Sequence, residues 1–195
     1  MLFRKTNHRE DAFLEQAIRG ERAGLEYLVD AYKDLAYTVA FRIVMNKEDA
    51  EEVVQDSFLR AFASLEKFKR ASKFSTWLFR IVYNTALTKV KHKKIQLSEL
   101  GNPLDDNAFD IPDHTGYDLL KKGEREKFVA LALNSLSEED NLVISYFYIG
   151  EKSISEISEI LGLKKSAIKM RLLRGRKQLE AALKNLLNTE VKDLL

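Results

Sequence analysis

The sequence predicts an all-α protein of two small helical domains joined by an acidic linker. Three observations carry that expectation. Apolar residues recur at helical spacing over most of the chain. Gly and Pro are scarce, 8 and 2 in 195 residues. Both prolines, Pro103 and Pro112, fall in one stretch that also holds Asp105, Asp106, Asp110, Asp113 and Asp118. That stretch breaks the periodicity and is longer than most loops inside one compact domain. The expected divisions are therefore 1–94, a linker 95–122, and 123–195.

Taken in order, Leu14 to Ile18 and Leu25 to Val44 read as core helices, with Leu25, Leu28, Leu35, Val39 and Ile43 facing inward. The next helix starts at Asn46, a good N-cap, with Glu48 and Asp49 at the positive end of the helix dipole. Its apolar positions are Val53, Val54, Phe58, Ala61, Phe62 and Leu65; its opposite face offers Glu51, Glu52, Gln55, Asp56 and Leu59. A further stripe runs Phe74, Trp77, Leu78, Ile81, Val82 and Val90, with Ser75 as a candidate cap. After the linker, helices are expected at Glu124–Ser135, Glu138–Tyr148, Ile154–Leu161 and Lys165–Leu187. Ser153 and Glu156 form a capping-box pattern, and Gly162 suits a left-handed helix end. A short helix, a three-residue turn with Gly and a basic helix make a helix-turn-helix.

Composition removes several function classes. Without Cys there is no disulfide, thiolate zinc site or cysteine nucleophile. His8, His92 and His114 are scattered, and no metal or cofactor is expected. No apolar run reaches the length of a membrane span, and Met1 to Asp11 lacks a signal-peptide core. The expectation is a cytoplasmic protein that is not itself a membrane protein. Paired catalytic carboxylates, a glycine-rich phosphate loop and a nucleophile constellation are all missing, so an enzyme is not expected.

Charge distribution is more telling than the net +2. Asn46 to Asp56 holds five acids against Lys47, and Lys67 to Lys94 then holds nine bases and no acid. Ser137 to Ile160 holds six acids against Lys152, and Lys164 to Lys177 then holds seven bases and no acid. Acid-free basic helices favour a polyanionic partner. Lys164 and Lys165 also stand at the positive end of a helix dipole, which folding disfavours and phosphate binding would reward. With Ile168, Leu172 and Leu179 turned inward, Lys165, Ser166, Lys169, Met170, Leu173 and Arg174 face a DNA major groove. Lys169 or Arg174 would read guanine edges, and Arg171, Arg176 and Lys177 would meet phosphates.

The segment from Asp49 through Phe62 (DAEEVVQDSFLRAF), followed by Phe74 through Asn84 (FSTWLFRIVYN), resembles region 2 of the bacterial sigma-70 family of RNA polymerase specificity factors. Leu136 through Asp140, Glu156 through Leu163 and Ile168 through Leu172 resemble region 4. Two regions in under 200 residues are similar to the extracytoplasmic-function (ECF) subgroup.

The resemblance implies a sigma factor that binds core RNA polymerase, recognises promoter DNA at the −35 and −10 elements, and aids melting. Glu52, Gln55, Asp56 and Leu59 match positions that dock on the clamp helices of the β′ subunit. Lys67, Lys69, Arg70, Lys73, Arg80, Asn84, Lys89 and Lys91 would hold the −10 strand, with Phe68 and Trp77 as candidate base-stacking rings. Trp77 also sits on the apolar stripe and is expected to pack in the core; Tyr83 is open between base contact and surface. Lys164, Lys165, Ser166, Lys169, Met170, Arg171, Leu173 and Arg174 would meet the −35 duplex. Ser166-Ala167 and Met170 depart from the subgroup's pattern, so no base preference carries over. The resemblance also implies an anti-sigma factor as a candidate partner. Two alternatives remain: an autonomous helix-turn-helix regulator that binds duplex DNA without polymerase, and a helical adaptor whose basic faces serve solubility.

Overall fold

The computed structural model describes residues 8–99, 129 and 131–193. Among these residues every regular element is helical, and no helix is long and apolar enough to cross a membrane. The chain divides into two compact units, Met1–Lys93 and Lys94–Leu195. The acidic linker expected at 95–122 and the helix expected from Glu124 lie, over 100–128, outside the described residues.

The N-terminal unit begins with α1 (His8–Ile18), closed by Gly20 at φ +76°. Helix α2 (Arg22–Val44) lies against α1 so closely that a Cβ on Gly24 would stand 2.4 Å from the Ala17 nitrogen. Only glycine fits there. Helix α2 ends on Met45 in the left-handed region, whose N–H donates to the Phe41 carbonyl. Helix α3 (Lys47–Ala63) then starts as expected: the Asn46 side chain accepts from the Asp49 N–H at 2.8 Å, a cap that typically contributes ~1 kcal/mol. A 3₁₀ turn at Leu65–Lys67 leads through a basic loop to α4 (Phe74–Glu99). Residues 95–99, expected at the start of the linker, are thus helical.

The core of this unit is built from Leu14, Leu28, Val39, Ile43, Val53, Phe58, Leu65, Phe74, Leu78, Phe79 and Val82. Leu25 and Leu35, expected inward on α2, are only half-buried. On α4 the buried face is rotated from the expected stripe. Phe74, Ser75, Leu78, Phe79, Val82 and Ala86 are inside, while Trp77, Ile81 and Val90 are half-buried. The reason is aromatic packing from α2: Tyr32 meets Phe79 edge-on at 5.8 Å and lies 5.9 Å from Phe74. Full burial of a ring such as Phe79 contributes roughly 1.5–3 kcal/mol.

In the C-terminal unit residues 131–134 are helical and precede α5 (Glu138–Ile144), which Ser137 caps. The helix expected as far as Tyr148 continues past Ile144 as a π turn, Ser145–Ile149. Helix α6 (Ile154–Leu161) carries the complete capping box of Ser153 and Glu156 and ends on Gly162 at φ +68°. Helix α7 runs Lys165–Asp193, beyond the expected Leu187. Val143, Ile144, Tyr146, Ile157, Ile160, Ile168 and Leu172 form the core, and Leu179 is half-buried.

Candidate nucleic-acid interface

The helix-turn-helix is α6, the turn 162–164, and the first turns of α7. The left-handed Gly162 reverses the chain, and Ser158 Oγ donates to the Leu163 carbonyl at 2.5 Å, tying the turn to α6. Ile168 N–H then donates to the Lys164 carbonyl, so α7 opens directly on Lys164 and Lys165. No acid occupies its first turn. Ile168 and Leu172 are buried against the unit, and that fixes the outward face as Lys165, Ser166, Lys169, Met170 and Leu173, all exposed. Lys164 is exposed beside it.

Two arginines expected on this surface are engaged elsewhere. Arg174 donates from Nε and Nη2 to the two carboxylate oxygens of Asp140, at 2.5 and 2.7 Å. The Asp140 side chain has no solvent exposure. Asp140, held by hydrogen bond and charge, raises the Arg174 pKa above its ordinary value. A guanidinium reads guanine with the same two-pronged fork; here Arg174, its side chain 56% exposed, turns that fork to Asp140 and braces α7 on α5. Arg171 Nη1 lies 2.6 Å from Glu139 Oε2. Sequence reading missed both acids because they stand more than thirty residues upstream in another helix. Arg176 sits over the rings of Phe147 and Tyr148, 5.3 and 5.5 Å from their centroids.

In the N-terminal unit, the loop after α3 presents Lys67, Lys69, Arg70 and Lys73, all exposed, and α4 adds exposed Arg80, Asn84 and Lys91. Phe68 and Trp77 come together beside that loop, ring centroids 5.0 Å apart, and both are half-buried. Trp77 is therefore neither a core residue nor a free ring; it is an edge ring braced by Phe68 and Phe74. Arg70 has a positive φ and pairs with Glu15. Tyr83 is half-buried.

The acidic face of α3 borders two neighbours. Gln55 and Leu59, one turn apart, open on an apolar groove of about 470 Å³ between α2 and α3, walled by Val29, Tyr37, Val54 and Phe58. Leu59 is 60% exposed. Glu52 instead accepts from Lys89 Nζ of α4 at 2.6 Å. Asp49 lies 3.4 Å from the same ammonium and accepts from Lys93 at 2.9 Å. Burial pushes the Asp49 carboxyl up, but hydrogen bonds and charge from Lys93 and Lys89 outweigh it and hold the group below its ordinary value. Asp56 is half-buried, about 100° around the helix from Gln55. At 100° per residue Glu52, Gln55, Asp56 and Leu59 share one face of α3 within a 100° arc, Glu52 bonded to α4 and Gln55 and Leu59 bordering the α2–α3 groove.

Among the described residues no cluster of three or more His, Asp or Glu side chains is placed to hold a metal. What the two units offer is positive helical surface, one with a paired aromatic edge and one on the second helix of a helix-turn-helix: the equipment of a protein that binds DNA. Comparison with known proteins makes this specific. Residues 28–95 match Sigma-70 region 2, and residues 129–179 match Sigma-70, region 4. The ECF RNA polymerase sigma factor SigW of Bacillus subtilis is 29% identical over 184 residues, covering 89% of this chain and 96% of the relative. The ECF RNA polymerase sigma-E factor of Haemophilus influenzae is 27% identical, covering 88% and 93%. The fold is shared with sigma factor RpoE of Bartonella quintana, solved in complex with the anti-sigma factor NepR: TM-score 0.65 at 22% identity, covering 82% and 96%.

The chain belongs to the sigma-70 family, in its ECF subgroup. It is a factor that directs RNA polymerase to promoters for transcription initiation.

Proposed function

We propose that the tasks of initiation divide among the three surfaces described above. Gln55 and Leu59, at the α2–α3 groove, dock on the clamp helices of the β′ subunit. The loop Lys67–Lys73 with Arg80, Asn84 and Lys91 holds the −10 strand, and the Phe68–Trp77 edge stacks its bases. Lys164, Lys165, Ser166, Lys169, Met170 and Leu173 enter the −35 major groove. Glu52 and Lys89, bonded to each other, position α4 on α3. The bond-making chemistry belongs to the polymerase, and the factor works where polymerase and promoter are, in the cytoplasm. An anti-sigma factor is a further candidate partner, since Bartonella quintana RpoE is found with one.

The observation that supports this division best is Leu59. A leucine 60% exposed, beside Gln55 and above an apolar groove, gains free energy only when another surface covers it. Leu59→Glu with Gln55→Ala is expected to lower capture of core polymerase at least tenfold, with helix content by circular dichroism unchanged. Undiminished capture overturns the assignment. Gel shifts of promoter DNA with and without core enzyme separate the sigma reading from an autonomous regulator, which would bind without it.

A further inference from the structure

We propose that α7 reads the −35 element through thymine methyl groups, taken by Met170 and Leu173; the inference rests on the −35 role just assigned to this helix. Among the described residues Met170 is the most exposed large apolar side chain, at 65%, and Leu173 is 51% exposed. They are three residues apart and so share a face with Ser166 and Lys169. Among the described residues of their unit nothing covers them, although Ile168 and Leu172 on the same helix are packed.

The polar alternatives on that face have been reduced. Arg174 is paired with Asp140 and Arg171 with Glu139, which leaves Lys165, Ser166 and Lys169 as the hydrogen-bonding side chains of that face. Charge complementarity identifies the occupant. The apolar pair lies on a helix whose exposed neighbours include Lys164, Lys165, Lys169, Arg174, Arg176 and Lys177, with no acid from Lys164 to Lys177. A polyanion fits that setting, and an apolar protein groove does not account for the lysines. In the major groove of duplex DNA the apolar group on offer is the thymine C5 methyl. Three residues of helix rise by about 4.5 Å, close to the roughly 3.4 Å between base pairs, so two such side chains reach neighbouring pairs.

The test uses holoenzyme reconstituted from the full chain and core polymerase. It selects binding sites from duplexes randomised at −35, and each selected thymine is then replaced by deoxyuridine, which loses only the methyl. Two thymines on neighbouring base pairs are expected, each costing about fourfold in affinity on replacement. Met170→Ala should abolish the uracil effect at one position and Leu173→Ala at the other. Both side chains are exposed, so neither variant should disturb folding. Lys169→Ala should weaken thymine and uracil duplexes equally. A selected element without thymine, or one that tolerates uracil throughout while holoenzyme still binds, overturns methyl readout and leaves the sigma assignment standing. Recovery of no binding site overturns the −35 role itself.

Discussion

At the scale of single residues, the Asp140–Arg174 pair shows what a local pattern leaves out. From Lys164 to Lys177 the sequence offers seven bases and no acid, and nothing within that window tells them apart. The acid that claims Arg174 is 34 positions upstream and fully buried. Breaking the pair from one side strands a charge in the unit's interior. Gly175 underlines how near the two helices run: a Cβ there would come within 2.8 Å of Ile144 Cγ1. Arg174→Ala is expected to lower the thermal midpoint by several degrees. At a temperature where the variant is folded, its affinity for −35 duplex should stay within about threefold of the parent, below the discrimination of a guanine-reading arginine. An unchanged midpoint with affinity lost by a hundredfold would restore Arg174 to the groove. Caps behaved differently. Asn46, Ser137, Ser153 and Gly162 act within three or four residues, and that is why the sequence marks them so clearly.

At the scale of elements, periodicity located the helices, and packing then decided their orientation. Helix α4 is the instructive case. Its apolar residues allow more than one stripe, and the rings of Tyr32 and Phe74 select the one that buries Phe79 and leaves Trp77 at the edge. The neighbours of the α3 face follow from packing for a related reason. Acids look alike in sequence, but α4 brings Lys89 and Lys93 to Asp49 and Glu52 and leaves Gln55 and Leu59 to the α2–α3 groove. This ion-pair seam has a pH signature. The folded Asp49 carboxyl lies below its ordinary value near 3.8, so its contribution is present above that value and is lost as pH falls through the lower, folded one. Thermal melts of the protein below about pH 4 should therefore show a loss of midpoint that Asp49→Asn flattens. A variant with the same acid slope as the parent would mean that other carboxylates carry it.

At the scale of the whole molecule, the net charge of +2 conceals how the protein meets a polyanion. Two acid-rich stretches, net −4 and −5, offset only part of two acid-free basic ones, net +9 and +7, and the fold then sorts them. Part of the acid is spent inside the units, as Asp49 and Glu52 with Lys89, Glu139 with Arg171, and Asp140 with Arg174. Lys164, Lys165, Lys169 and Lys177 stay exposed at the second helix of the helix-turn-helix. The order of blocks along the chain was legible because it survives any folding; which bases remain available was not, because pairing is a tertiary event. Ion pairs made inside the protein release no counterions when DNA binds, whereas exposed lysines that reach phosphates do. The salt dependence of promoter binding thus counts the second kind alone. Each phosphate neutralised steepens the log–log slope by about 0.9. Lys164→Ala with Lys165→Ala should make the holoenzyme's slope on promoter duplex shallower by about 1.8, weakening all sequences alike. Arg171→Ala, which removes a side chain already matched by Glu139, should leave the slope within error of the parent. A shallower slope in the Arg171 variant, or none in the lysine pair, would show that DNA meets a different side of α7 than the one its buried Ile168 and Leu172 turn outward.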